Sequence, residues 1–124
     1  METQEKKNYS VLAVVGSKSF MDYELLSQKL QTISFKTIVS GGARGADTLA
    51  ERYAEEYQIP IEVIKPQWKQ LGKMAGYIRN EEIISKCDFC IAFWDGESKG
   101  TKHDIELCKM TSKPYQIVYF SHDE

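Results

Sequence analysis

The sequence predicts an α/β protein, with helices on both faces of a mainly parallel five-stranded sheet. Three observations carry this. Short apolar runs alternate with segments whose apolar residues recur at helical spacing. The runs are apolar almost throughout, as in strands covered on both faces. The resulting order, β-α-β-α-β-α-β-α-β, implies parallel pairing through right-handed crossovers. Together they specify a three-layer Rossmann-like domain.

Each element has its own signal. Residues 1–8 are polar and read as a disordered leader, with the domain expected over 9–120. Val11 to Val15 form the first strand, ending at Gly16. After a loop from Ser17 to Met21, Asp22 is placed to cap a helix bearing Leu25, Leu26, Leu30 and Ile33. Thr37-Ile38-Val39 is the second strand and runs into Ser40-Gly41-Gly42. Ala46, Leu49, Ala50, Tyr53, Ala54 and Tyr57 fall on one stripe of the second helix, and Pro60 prevents its continuation. Ile61 to Ile64 form the third strand, closed by Pro66, with Trp68 in the loop beyond. Met74, Tyr77, Ile78 and Ile84 mark a third helix that reaches Lys86. Phe89 to Phe93 is the fourth strand, and Gly96 to Gly100 a polar loop. Ile105 and Cys108 mark the fourth helix, and Gln116 to Phe120 the fifth strand, after Pro114.

Size and composition narrow the function classes. A chain of 124 residues has the length of one domain and can bury roughly two-thirds of its unfolded surface. Its 42% hydrophobic content excludes a disordered chain, a collagen and a disulfide knot. No apolar run approaches the roughly 20 residues of a membrane span, and the polar N-terminus has no apolar signal core. Three cysteines do not suit a disulfide framework, so a reducing cytoplasm is the expected location. Sixteen Lys and Arg oppose eighteen Asp and Glu, for a net charge of −2 and an isoelectric point of about 5.7. Duplex-binding modules usually show a basic stripe, and none is visible here. Nucleic acid is therefore expected to be a disfavoured partner, with a local basic pocket left open.

In open parallel sheets ligands bind outside the carboxyl ends of the strands. Four loops should lie on that edge. They carry Gly16-Ser17-Lys18-Ser19, Gly41-Gly42-Ala43-Arg44-Gly45-Ala46-Asp47, Trp68 to Gly76, and Trp94-Asp95-Gly96 to Gly100-Thr101. Five of the eight glycines fall in the second and fourth loops. A Gly-rich loop that feeds a helix N-terminus presents N–H groups and a positive dipole end, which suits phosphate. Arg44 adds a guanidinium with matching geometry. The same glycines could instead serve only tight turns and helix–sheet contacts. Neither a Walker A motif nor GxGxxG is present.

The stretches Gly16-Ser17-Lys18, Ser40-Gly41-Gly42-Ala43-Arg44-Gly45-Ala46-Asp47, Trp68, Gly72-Lys73-Met74-Ala75-Gly76-Tyr77-Ile78-Arg79-Asn80 and Gly100-Thr101 resemble the SLOG superfamily. Within it they are similar to the small YspA/YpsA-related nucleotide-binding proteins. The resemblance covers nearly all of residues 10–120. Lys18 stands where the family usually has Arg. The resemblance implies a Rossmann-like fold that binds a nucleotide or nucleotide-derived ligand, as a sensor or as a sequestering protein in bacterial or phage conflict. Related LOG phosphoribohydrolases cleave the N-glycosidic bond of nucleoside monophosphates with an Arg on the third helix and a Glu in Gly-Thr-x-x-Glu. Arg79 and Asp104 occupy the comparable positions, while Trp94-Asp95-Gly96 replaces the Pro-Gly-Gly before the LOG motif. DprA, a further SLOG relative, implies a third reading as a single-stranded DNA binder, against which the net charge argues.

Several residues carry two readings. Arg44 and Arg79 could clamp phosphate or sit on solvated faces. Arg79 and Asn80 lie off the Tyr77-Ile78-Ile84 stripe and are expected outside the core. Asp47 and Asp104 are expected in first helical turns, where a carboxylate suits the dipole regardless of any ligand. Trp68 and Trp94 could stack on a base or wall the pocket, and Lys18 could contact phosphate or be an ordinary loop lysine. Cys87-Asp88-Phe89-Cys90 is a lone CxxC across a helix end and a strand start, read as buried small hydrophobes. His103 and His122 are read as surface residues. The ligand-binding set is thus Gly16, Ser17, Lys18, Gly41, Gly42, Ala43, Arg44, Gly45, Asp47, Trp68, Arg79, Asn80, Gly100 and Thr101. The catalytic candidates are Arg79 and Asp104, with no metal and no cofactor. An exposed apolar helix face leads to the expectation of a homo-oligomer without membrane contact.

Overall fold

The structure, a computed structural model, describes residues 8–121. The expected leader lies outside the described residues except for Asn8, which opens β1. The strands are β1 (Asn8–Gly16), β2 (Ser34–Ser40), β3 (Ile61–Val63), β4 (Phe89–Trp94) and β5 (Tyr115–Tyr119). The helices are α1 (Tyr23–Leu30), α2 (Ala46–Glu56), the single turn α3 (Trp68–Leu71), α4 (Ala75–Lys86) and α5 (Lys99–Met110). All four strand pairings are parallel, in the order β3-β2-β1-β4-β5. This is a doubly wound sheet whose order reverses between β1 and β4. No helix among the described residues is long and apolar enough to cross a membrane.

Successive side chains of a strand point to opposite faces, and both faces are buried here. Leu12 and Val14 of β1, Ile38 of β2 and Ile91 and Phe93 of β4 pack with Leu26, Leu30, Ala50 and Tyr53 of α1 and α2. Ala13 and Val15, Val39, and Cys90 and Ala92 face Ile83, Ile84, Ile105 and Cys108 of α4 and α5. This double coverage is why the strands read as continuous apolar runs. Asp22 caps α1 as expected, its Oδ1 accepting from the Leu25 N–H at 3.0 Å.

Where the elements differ from expectation, pairing or packing is the cause. Strand β2 starts three residues early because Ser34, Phe35 and Thr37 pair with Asn8, Tyr9 and Val11. Trp68 sits on α3, not in a loop, and a 3-10 turn (Gly72–Met74) leads into α4. Helix α4 is rotated from the expected stripe: Ala75, Asn80, Ile83 and Ile84 are buried, and Tyr77 and Ile78 are exposed. Asn80 is thus interior, a correction explained by the partners given below. Helix α5 begins inside the expected loop, so Asp104 lies in its second turn, away from the helix dipole's positive end.

Candidate functional site

The loops after β1 and β4 diverge at the strand-order reversal and leave a cleft there. Ser17 ties its two sides together. Its N–H donates to the Phe93 carbonyl at 2.9 Å, and its Oγ accepts from the Asp95 N–H at 3.3 Å. The loop before α2 packs tightly behind it. A Cβ on Gly45, whose φ is +76°, would lie 2.3 Å from the Ser17 carbonyl oxygen. A Cβ on Gly16 would meet the Ala46 Cβ at 2.6 Å. These two glycines let the protein approach itself, and Gly45 lines neither chamber of the cleft.

Across the mouth runs a chain of hydrogen bonds from α4. Arg79 Nη1 donates to the Gly41 carbonyl at 2.7 Å, and Arg79 Nε donates to Asn80 Oδ1 at 2.8 Å. Asn80 Nδ2 lies 3.1 Å from His103 Nδ1 and 3.5 Å from the Gly100 carbonyl. Satisfied on both ends of its amide, Asn80 can be buried without cost from unpaired polar atoms. Gly41 has no side chain because Arg79 needs the space: an added Cβ would lie 2.7 Å from Nη1. The Tyr77 ring stands edge-on to His103, with centroids 4.8 Å apart.

Two carboxyl groups form the floor. Asp47 on α2 and Asp104 on α5 are both buried. Asp47 Oδ2 accepts from the Ala43 N–H at 3.0 Å, whereas Asp104 Oδ1 has no hydrogen-bond partner among the described residues. Burial pushes the Asp104 carboxyl well above the ordinary carboxylate range; nearby Asp47 adds to this and Arg79 opposes it. Asp47 is raised by burial too, with the Ala43 N–H and Arg79 pulling the other way. A carboxyl group raised in this way keeps its proton to higher pH than a free one does.

This first chamber has a volume of about 400 Å³ and takes its walls from Gly16, Ser17, Lys18, Gly41, Ala43 and the Ser98–Thr101 turn. A second chamber of about 650 Å³ adjoins it, walled by Gly42, Arg44, Lys65, Trp68, Lys73 and Tyr77. Lys18, Ala43, Arg79, Asn80 and Gly100 border both. Of the sequence-predicted set, only Gly45 falls outside these walls. Lys73, Tyr77, Ser98 and Lys99 lie in the expected loops or the matching stretch but outside the expected binding set, and Lys65 lies outside all of them. Lys65 follows β3 and could have been found by the rule that identified the other loops. Trp94 lines neither chamber: its ring lies against Tyr119 and its Nε1 donates to the Ser98 carbonyl at 3.1 Å. The three cysteines are free and buried, with the Cys87 thiol pushed up to about 11 by burial. His122 lies outside the described residues.

A family model for the YspA, cpYpsA-related SLOG family matches residues 10–71. The Gene 61 protein of Mycobacterium phage D29 is 35% identical over 112 residues, which span 82% of this chain and 90% of that protein. The fold resembles that of DNA processing protein A from Helicobacter pylori, whose structure is described for its single-stranded DNA binding mode. The TM-score is 0.69 at 20% identity, over 93% of this chain and 67% of that one. That likeness is one of fold, and it corrects the exclusion drawn from net charge. A protein of this fold is described as binding single-stranded DNA, so nucleic acid is not set aside as a partner class. The physical reason lies in the second chamber, where Lys18, Arg44, Lys65, Lys73 and Arg79 gather and no carboxylate joins them.

Proposed function

Since the chain belongs to the YspA, cpYpsA-related SLOG family, we propose that its switch-point cleft binds a nucleotide by the phosphate. The observation that carries this reading is the N-terminus of α5. Ser98 stands at the cap position, but its side chain gives the helix no hydrogen bond. Its Oγ and N–H both turn back to Asp95, at 3.0 and 2.8 Å. Gly100, in the first turn, faces open space. Uncapped N–H groups and a positive dipole end are thereby presented to the cleft. Arg79, held on two of its nitrogens, lies on the same walls. Asp104 below, its carboxyl raised by burial, opposes an anion less than an ordinary carboxylate would. Isothermal titration with the common nucleoside 5′-monophosphates tests the reading. One-to-one binding is expected, weakened at least about tenfold in Arg79→Ala, as for the loss of one charge-assisted contact. No binding by any of them, together with no nucleotide released on denaturing the purified protein, would overturn it.

Asp104 favours a second reading, a nucleoside 5′-monophosphate phosphoribohydrolase. Its Oδ1 is buried with no hydrogen-bond partner among the described residues, and Asp104 lines the chamber. A carboxyl group whose proton is held more tightly by burial can hand that proton to the departing base as the C1′–N bond breaks, while a solvent water adds its hydroxyl to C1′ and releases the proton that restores the acid. This reading expects free base and ribose 5-phosphate from a bound monophosphate, and no release in Asp104→Asn with binding retained. Intact nucleotide after prolonged incubation would leave binding as the whole activity.

A further inference from the structure

The second chamber offers space beyond that of the first. The first chamber alone, at about 400 Å³, falls within the range of sites that enclose a whole small ligand, roughly 300–1,000 Å³. The second, at about 650 Å³, adjoins it and shares Lys18, Ala43, Arg79, Asn80 and Gly100 as lining. Its chemistry also differs. The first has buried carboxyl groups in its wall; the second has five cations and no carboxylate. Five of the sixteen basic residues of a chain with net charge −2 thus converge on one hollow. One phosphate does not need that much charge.

Two aromatic rings complete the hollow. Trp68 is 58% exposed and Tyr77 47% exposed. Trp68 reaches across to the start of α4, where a Cβ on Gly76 would lie 3.6 Å from its Cη2. Tyr77 is braced by His103, and His103 by Asn80, the residue that also holds Arg79. The aromatic wall is therefore mechanically tied to the phosphate-facing guanidinium. Flat, half-exposed rings beside clustered cations are the combination that receives a base and its phosphate.

We infer that the two chambers together receive two nucleoside units joined through phosphate, the second unit stacking in the Trp68–Tyr77 hollow. This rests on the nucleotide reading of the first chamber. The same chemistry occurs in a free dinucleotide and in a step of a single strand. Titrations with 5′-AMP, 5′-dAMP, pdApdA, diadenosine pyrophosphate and the single strand d(pA)12 separate the possibilities. At least one two-unit ligand is expected to bind about tenfold or more tighter than its one-unit reference. In Trp68→Ala that ratio is expected to fall toward one, and in Lys73→Glu it is expected to fall as well. Trp68 is exposed, so its removal leaves the core untouched. Retention of d(pA)12 as tight as that of pdApdA identifies a strand as the source; rejection of d(pA)12 with dinucleotide retained identifies the free molecule. If the monophosphates bind and no two-unit ligand binds tighter, the inference fails while the nucleotide reading stands. A gain that persists in Trp68→Ala also overturns it. If nothing binds, the nucleotide reading itself has failed.

Discussion

The loop entering α2 and the loop entering α5 both carry glycines and lead to a helix N-terminus in the cleft wall, yet their glycines face different things. Before α2, the Gly45 Cβ position is 2.3 Å from the Ser17 carbonyl oxygen and that of Gly41 is 2.7 Å from Arg79 Nη1. The helix start is also occupied: the Ala46 N–H reaches the Ser17 carbonyl at 3.4 Å, and Asp47 takes the Ala43 N–H. At the entry to α5, no described residue from elsewhere in the chain comes within 4 Å of the Cβ position of Gly96, in the loop, or of Gly100, in the first turn. Asp95 instead organises the loop, its Oδ1 accepting from the Glu97 and Ser98 N–H groups at 2.9 and 2.8 Å. Glycine density marks where a backbone is approached. In one loop the approaching group is the protein; in the other the space is left for something else.

The largest expected effect breaks the first loop. Gly45→Ala places a methyl group against two backbone carbonyls, those of Ser17 and Lys18, at a φ of +76°. Neither carbonyl belongs to a flexible side chain, so strain and overpacking add. A loss of about 3 kcal/mol or more is expected, measured by urea unfolding. Wild-type stability in this variant would mean that the β1 and α2 loops do not meet as described.

The aspartates of the two helices sharpen the contrast with an effect of opposite sign. Asp47 has a backbone partner, and Asp104 Oδ1 has none among the described residues. The folded protein keeps a proton on Asp104 to a higher pH than the unfolded chain does, because burial raises it. Stability from this group is full below the unfolded value, near ~3.9, and is lost as pH rises through the raised folded value. Asp104→Asn cannot ionise and escapes that loss. Its stability should match wild type at acid pH and exceed it by about 0.5–2 kcal/mol at neutral pH. A neutral-pH loss in the variant would show that Asp104 is held as a paired carboxylate.

Sequence alone makes the contrast only half legible. The sheet could be read because both its faces are covered, which leaves uninterrupted apolar runs such as Val11 to Val15 and Phe89 to Phe93. The binding edge followed from topology. The burial of Asn80 and Asp104 could not be read, because a polar residue enters a core only where partners or a cavity exist, and those come from distant segments. Asn80 depends on His103 and Gly100. The basic hollow was hidden for a related reason. Lys18, Arg44, Lys65 and the Lys73–Arg79 pair come from four separate stretches, and a net charge of −2 averages them away. Local field depends on placement, which total charge does not record.

Gly100→Ala is the smallest change for stability and the most direct test of what separates the two loops. Gly100 has no positive φ, lies in a helical turn and has no atom near its Cβ position. Alanine there removes unfolded-state freedom without strain, so stability should hold or rise by about 0.4–1 kcal/mol. Its carbonyl, which faces Asn80, is kept. The new methyl group, however, enters the border shared by both chambers, where a bound phosphate would have to approach the backbone. Nucleotide affinity should then fall about tenfold, the effect of about 1.4 kcal/mol, while the melting temperature does not fall. Gly45→Ala lowers stability first and binding only as a consequence; Gly100→Ala should separate the two. If Gly100→Ala binds nucleotide as wild type does, the open face at the first turn of α5 is not where the ligand's phosphate sits.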